Sequence, residues 1–120
     1  MNKQDIKILN TISQAIFDKK GFNILVLDVR GLSTMTDYFI IAEGSVDRHV
    51  KSLSTAVKGV LEETNLKAFH IEGERDADWI VMDCGEVVIH LFTPDLREKY
   101  ALEEVWKKGK IVDVDIKTQV

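Results

Sequence analysis

The chain has 120 residues, of which 45% are hydrophobic and 30% are charged, and its formal net charge is −4. This length suits one compact domain, and the composition excludes an intrinsically disordered chain. The acidic balance argues against a free-standing nucleic-acid-binding domain, because phosphate binding usually requires a basic surface, whereas a basic protein is a suitable partner.

Apolar periodicity predicts eight elements in the order α-β-β-α-β-β-β-α. They are, in chain order, a helix over 4–20, strands over 24–29 and 37–42, a helix over 46–64 with Ser45 as its N-cap, strands over 67–73, 79–83 and 86–92, and a helix that begins at Pro94 and bends before Leu102. This order predicts a single α/β domain with a mixed five-stranded sheet flanked by helices. The domain is predicted to span 1–106. Residues 107–120 lack periodicity and are predicted to form a mobile C-terminal tail with a short ordered segment over 111–116.

The cysteine content and the lack of long apolar runs predict a cytoplasmic protein. Cys84 is the single cysteine, so no internal disulfide can form. The N-terminal residues lack the continuous apolar stretch of a signal peptide, and no run approaches the roughly 18 apolar residues that a membrane span needs. We therefore expect no membrane partner. Cys84 itself falls in a predicted turn, where we expect a surface thiol without chemistry.

The hairpin around Cys84 and Gly85 has one face that a core does not explain. With these two residues as the turn, the facing pairs are Asp83–Glu86, Val81–Val88 and Trp79–His90. This face mixes aliphatic, aromatic and acidic side chains, whereas the opposite face is entirely apolar. Two interpretations stay open. Either the last helix covers this face, with Trp79 under Tyr100 or Trp106, or the face is a docking surface with an aromatic anchor and a charged rim.

The histidines do not form a metal-binding or catalytic arrangement. His49, His70 and His90 lie on different predicted elements, and none has a second ligand at metal-binding spacing. We therefore expect no metal and no cofactor.

A possible nucleotidyltransferase site is incomplete. Gly44-Ser45 follows a strand and precedes a helix, as at the opening of such sites, which also need a pair of acids on the following strand to hold two metal ions. That strand offers Glu72 alone. Asp113 and Asp115 have the right spacing but lie too far along the chain. We therefore expect no catalytic residues and no enzyme activity.

Two ordered blocks of sequence resemble the ribosomal silencing factor family, also called the Iojap family. The first block is Asp37-Tyr38-Phe39-Ile40-Ile41, Gly44-Ser45 and Arg48-His49-Val50. The second block is Glu72-Gly73, Trp79-Ile80-Val81-Met82-Asp83, Gly85, Val87-Val88-Ile89-His90-Leu91-Phe92, Pro94, Arg97, Tyr100, Leu102-Glu103 and Trp106. The departures are mild: Cys84 stands where an aromatic residue is frequent, Glu86 where Asp is usual, and Val105 where Leu is usual.

The resemblance implies a nucleotidyltransferase-like fold without catalytic acids, used for binding. Such proteins bind the large (50S) ribosomal subunit through its protein L-fourteen and block joining of the small subunit, which represses translation under nutrient limitation. Direct sequence-specific nucleic-acid binding is not implied. The partner-binding residues are then expected to be Trp79, Val81, Asp83, Glu86, Val88, His90, Arg97 and Tyr100. Alternatives are a homodimeric scaffold that uses the same face and a nucleotidyltransferase-like enzyme.

Two residues of the first block leave a further choice open. Arg48 and His49 are either a polar patch inherited from an ancestral nucleotide site, or they cap the helix and bond to Asp37 or to the Gly44 turn.

Overall fold

Ten elements of secondary structure occur in residues 2–118, which are the residues that the computed structural model describes. The helices are α1 (Lys3–Asp18), α2 (Asp47–Leu61), α3 (Pro94–Tyr100) and α4 (Leu102–Val105). The strands are β1 (Phe22–Asp28), β2 (Tyr38–Glu43), β3 (His70–Glu72), β4 (Trp79–Asp83), β5 (Val87–Phe92) and β6 (Lys110–Ile111). The α/β class and the predicted order are confirmed, and most predicted ends lie within three residues of the observed ones.

The six strands form one open mixed sheet in the order β3-β4-β5-β2-β1-β6. β2 and β5 pair in parallel, and the other neighbouring strands pair antiparallel. The chain crosses from β2 through α2 to the β3 edge, and β4 and β5 then return it to the side of β2. The prediction of five strands is therefore wrong by one, because β6 extends the sheet beyond β1.

Residues 110–118 belong to the fold, so the ordered segment exists but is longer than the predicted 111–116, and the rest of this stretch is not a mobile tail. The amide of Val112 donates to the carbonyl of Val26 over 2.8 Å, which continues the pairing of β6 with β1. Val112 and Val114 then pack against the core cluster. Its pairing with β1 was not predicted because its alternating burial is shallow: the inward residues are only half-buried, and charged residues separate them. Residues 119 and 120 of the predicted tail lie outside the described residues.

α1 and α2 cover one face of the sheet with amphipathic stripes. The shared core contains five fully buried side chains from these two helices, Ile12, Ile16, Val50, Leu53 and Val57. Burial of each such side chain stabilises the fold by about 1.5–3 kcal/mol relative to exposure. The chain leaves α1 at Gly21, where a Cβ atom would lie 2.4 Å from the Ile16 side chain, so a larger residue does not fit.

α3 and α4 cover only part of the other face. Leu96 of α3 and Leu102 of α4, together with Trp106, pack on the β1-β2-β5 part of the sheet, where Phe39 and Phe92 are buried. Ala101 joins the two helices in the left-handed conformation, with φ 44°, and this residue makes the predicted bend. The β3-β4 side of this face stays largely uncovered.

Candidate functional site

The β4-β5 hairpin closes one residue later than predicted, which shifts the facing pairs by two positions. Its turn is Gly85-Glu86, since the amide of Cys84 donates to the carbonyl of Val87 over 2.9 Å. The observed pairs are Trp79–Phe92, Val81–His90 and Asp83–Val88. Gly85 has φ 82°, and primed two-residue turns need a positive φ at their first central position, which explains why the turn begins at this glycine.

A shift by two residues preserves the side-chain alternation, so the predicted face still exists. Trp79, Val81 and Asp83 of β4 share it with Val88 and His90 of β5. Glu86 instead lies in the turn and is exposed. The prediction that Glu86 faces Asp83 across the strands is therefore wrong.

The uncovered part of this face is a groove of about 540 Å³, which we call the open groove. It is lined by residues 32–36 of the loop before β2, by Phe39, Val81, Asp83, Val88 and His90 of the sheet, by His70 and Glu72 of β3, and by Leu102 and Trp106. Its floor is apolar and aromatic, and on its β3 side His70 Nε2 contacts Glu72 Oε1 at 2.7 Å.

Trp79 belongs to the covered part of the face. Its ring lies 4.7 Å from that of Tyr100 and 4.8 Å from that of Phe92, measured between centroids. Trp106 does not take this place; it packs on Phe39 at 5.2 Å. The last helices therefore cover the Trp79 end of the face, as the first interpretation predicted. The Val81 end stays open, and its role as a docking surface stays a prediction.

His90 is a buried imidazole between these two halves. The Trp79 indole N–H donates to His90 Nδ1 over 3.2 Å, which makes Nδ1 the acceptor and leaves the proton of the neutral ring on Nε2. Phe39 and Phe92 flank the ring at centroid distances of 5.5 and 6.0 Å. Burial disfavours the charged form and lowers the pKa of His90 from 6.5 to about 4. At neutral pH His90 is an uncharged part of the groove floor.

Arg97 lies away from the open groove and holds α3 on the sheet. Its guanidinium donates to Glu43 Oε2 over 3.1 Å and to the backbone carbonyl of Asn23. The side chains of Arg97 and Glu43 are only 12% and 8% exposed. Removal of one partner from such a buried pair typically lowers the free energy of unfolding by about 3–5 kcal/mol. The pair therefore anchors α3, which carries Tyr100, to β2.

The acid on the floor of the groove also shapes the hairpin. Asp83 Oδ1 accepts the amide hydrogen of Gly85 over 2.9 Å, which fixes the start of the turn. Asp83 is half-buried and lines the groove, while Glu86 follows it in the turn. The hairpin end of the groove therefore carries negative charge.

Met35 is the most exposed apolar residue among the groove residues that were not predicted from the sequence. Its side chain is 84% exposed, the largest exposure of any large hydrophobic residue in the described chain. The Ser33 hydroxyl accepts from the amides of Met35 and Thr36, at 3.1 and 3.3 Å, and so fixes the loop that carries it. The available signal was an apolar residue among Ser and Thr immediately before a strand.

His49 ties together three segments behind the Gly44-Ser45 turn. The Ser45 amide donates to His49 Nδ1 over 2.8 Å, and His49 Nε2 contacts the Lys19 carbonyl at 2.7 Å. Of the two alternatives left open, the structure thereby supports the bond to the Gly44 turn for His49. Ser45, however, is not the N-cap of α2: that position is Val46, which makes no side-chain capping bond.

The acids considered for a nucleotidyltransferase-like site lie in other parts of the fold. Glu72 lines the open groove, beside His70. The amide of Asp115 donates to Asn10 Oδ1 over 2.9 Å, so Asp115 lies along α1. Within residues 2–118, no group of three His, Cys, Asp or Glu side chains is arranged to hold a metal ion.

Cys84 is buried, contrary to the predicted surface position. Its side chain is 2% exposed and belongs to the core cluster, because it continues the inward alternation of Ile80 and Met82. Burial raises the pKa of the Cys84 thiol to about 11, and the charge of Asp83 adds to this effect. The thiol is therefore unreactive at neutral pH.

The described part of the chain contains no helix with the length and hydrophobicity required to cross a membrane. Fold and site together define a small α/β domain whose accessible feature is an apolar groove with acidic margins on a partly covered sheet. Comparison with known proteins identifies which family of such domains this is.

A family model described as "Ribosomal silencing factor during starvation" matches residues 2–120. The chain is 35% identical over 115 residues to Ribosomal silencing factor RsfS of Bacillus subtilis, with 96% of each chain covered. It is 33% identical over 87 residues to a mouse protein named "Mitochondrial assembly of ribosomal large subunit protein 1", covering 70% of this chain and 38% of that one. A crystal structure of a Chromobacterium violaceum protein superposes with a TM-score of 0.81 at 30% identity, covering 98% of this chain and 95% of that one. The chain belongs to the ribosomal silencing factor family.

Proposed function

We propose that this protein binds the large ribosomal subunit through ribosomal protein L-fourteen and thereby blocks joining of the small subunit. Membership of a family named for ribosome silencing during starvation supports ribosome binding. The name of the mouse relative refers to the large subunit, which supports the choice of subunit. The proposed consequence is repression of translation when nutrients are scarce.

The open groove is the observation that carries this proposal. Its floor offers aliphatic and aromatic area, and Met35 stands exposed at its edge as an adaptable apolar contact. Glu72 and Asp83 place carboxylates beside that floor. A partner segment with an aliphatic side chain flanked by Lys or Arg matches this pattern, and a net charge of −4 favours its approach.

We assign two roles to the partner-binding residues expected from the sequence: some would contact the partner, and others would support the groove. Val81, Val88 and Asp83 would meet the partner directly, together with Glu86 at the hairpin turn. Trp79, His90 and Tyr100 would support the groove from its covered end. Arg97 would act through α3 by its bond to Glu43.

A charge-introducing substitution at Met35 tests the groove with little risk to the fold. Met35→Lys removes exposed apolar area and brings a positive charge toward a basic partner, so we expect affinity for isolated large subunits to fall at least about tenfold. Co-sedimentation over a concentration series measures this. Trp79→Ala and Asp83→Lys are poorer tests, because they also remove ring stacking and the bond to Gly85.

Ile6→Lys is the matched control. Ile6 is a partly exposed apolar residue of α1, on the opposite face of the sheet, and the change in net charge is the same. Its affinity should stay within about twofold of the unmodified protein, and both variants should melt within a few degrees of it. Equal affinity of Met35→Lys would reject the groove, and failure of the unmodified protein to sediment with large subunits at micromolar concentration would reject the function.

A further inference from the structure

A basic cleft lies next to the open groove in this otherwise acidic molecule. It has a volume of about 400 Å³ and is lined by Asp28, Arg30, Leu32, Lys108 and Lys110. We call it the basic corner. Leu32 lines both the basic corner and the open groove, so a partner seated in the groove extends naturally toward the corner.

The fold assembles the basic corner from distant parts of the sequence. Lys110 opens β6 and pairs with Asp28 at the end of β1. The Gly109 amide donates to the Trp106 carbonyl over 2.8 Å, which turns the chain from α4 into β6 and places Lys108 in that turn. Residues 107–110 therefore bring their lysines to Arg30, about 80 positions earlier in the chain.

The single acid of the cleft is already engaged. Arg30 binds Asp28 through two bonds, Nε to Oδ1 at 3.0 Å and Nη2 to Oδ2 at 2.8 Å. Hydrogen bonding from Arg30 holds the pKa of Asp28 below its usual range, and the charge of Lys110 contributes to that shift. Among the described side chains, neither Lys108 nor Lys110 has a carboxylate within 4.0 Å. Within residues 2–118 the two lysines are thus exposed positive charges without an ion-pair partner.

We propose that the basic corner binds phosphate groups of the RNA backbone of the large subunit while the open groove holds the protein partner. This inference rests on the proposed function, because the groove must first dock on the subunit. Exposed lysines on flexible stems act as point charges for phosphate and carry no sequence preference. The net charge of the whole chain predicts repulsion from RNA, but salt screens charges farther away than a Debye length of about 10 Å, and three of the four charged residues that line the cleft are basic.

The salt dependence of subunit binding tests this inference. Lys108→Gln/Lys110→Gln should lower affinity for purified large subunits about tenfold near 0.1 M salt. The slope of log K against log salt concentration should become less steep by about 1.5, because two phosphate contacts are lost. The affinity for isolated ribosomal protein L-fourteen should not change. Gln keeps a polar side chain only one atom shorter at these exposed positions, so the fold is retained, and a thermal melt checks this.

Lys19→Gln/Lys20→Gln is the matched control with the same loss of charge. These lysines follow the C-terminal end of α1, whereas Arg30 and Tyr38 lie near Asp5 at its other end. The control should keep both the affinity and the slope of the unmodified protein.

Each outcome decides the inference. An unchanged affinity and slope in Lys108→Gln/Lys110→Gln, with the unmodified protein bound, overturns the inference and leaves the proposed function standing. An equal loss toward isolated L-fourteen also overturns it, because the corner would then contact protein. A slope that falls equally in the control shows a net-charge effect and likewise overturns it. If the unmodified protein does not bind large subunits, both the function and the inference are rejected.

Discussion

At the scale of single residues, the charge of His90 decides whether its ring can keep its contacts with Trp79, Phe39 and Phe92. The ring is 8% exposed and accepts a hydrogen bond from Trp79 at Nδ1. Protonation would remove that acceptor and place a charge between Phe39 and Phe92. The uncharged ring is the form that the native structure accommodates.

The stability of the protein should therefore fall between pH 7 and pH 5 through His90. Its pKa is about 4 in the folded chain and 6.5 as an ordinary histidine, so the unfolded chain binds the additional proton. This contribution is fully present above pH 6.5 and is lost progressively as the pH falls toward 4. The free energy of unfolding should drop by about 2 kcal/mol between pH 7 and 5 from this residue alone. Urea titrations at the two pH values measure it.

His90→Gln serves as the reference for this measurement, because an amide can accept from Trp79 but does not titrate. The comparison concerns the pH dependence and not the absolute stability, so a less stable variant is still informative. Equal losses between pH 7 and 5 in both proteins would show that His90 is protonated in the native state. A ring resonance of His90 that titrates near pH 6.5 would show the same.

At the scale of elements, the sequence predicts what local pattern determines and misses what distant segments determine. The helices and the strands β1 to β5 follow from apolar periodicity over their own residues, and these predictions hold. The predicted hairpin register was wrong because the first residue of the turn needs a positive φ, and Gly85 is the residue that adopts it. β6 was missed because a two-residue strand gains its stability from Leu27 and Asp28, which lie far away in sequence.

The candidate site divides in the same way. Alternation along β4 and β5 predicted that Trp79, Val81, Asp83, Val88 and His90 share a face, and the structure brings them together there. The boundary between the covered and open halves of this face could not be predicted, because it depends on where α3 and α4 pack on the sheet. The contribution of the loop before β2 depends likewise on its tertiary placement.

The segment after β6 is attached to α1 through Gln14, and this attachment can be tested. The Gln14 side chain pairs with the backbone of Lys117 as a strand would: it accepts from the amide at 2.6 Å and donates to the carbonyl at 2.9 Å. Gln14→Ala should remove both hydrogen bonds between this segment and α1 and lower the free energy of unfolding by about 1 kcal/mol. The amide of Lys117 should exchange at least about tenfold faster by hydrogen-exchange mass spectrometry.

Thr11→Ala is the control for this substitution on the same helix. The Thr11 hydroxyl bonds only to the Lys7 carbonyl within α1, among the bonds of the described residues. Its removal should leave exchange at Lys117 unchanged. Unaltered exchange in Gln14→Ala would mean that the packing of Val112 and Val114 and the bond from Asp115 to Asn10 hold the segment without Gln14.

At the scale of the whole molecule, shape is sufficient for the proposed mechanism. The described chain measures 34 × 31 × 31 Å. Contacts between two docking surfaces require polar atoms to approach within about 3 Å. A body of this thickness seated on the joining face therefore keeps the two ribosomal subunits apart without chemistry or conformational change. It also means that the protein must reach the face before the small subunit does.

The order of addition should consequently decide the outcome. Incubation with large subunits before small subunits are added should strongly reduce the joined 70S fraction on a sucrose gradient, because the face is already covered. Addition after joining should have little effect over the same time, since the docking face is then buried. Met35→Lys should be weak in both orders, whereas Ile6→Lys should behave like the unmodified protein. Equal loss of 70S particles in both orders, over a time too short for joined subunits to dissociate on their own, would mean that the protein actively separates them, which a steric block cannot do.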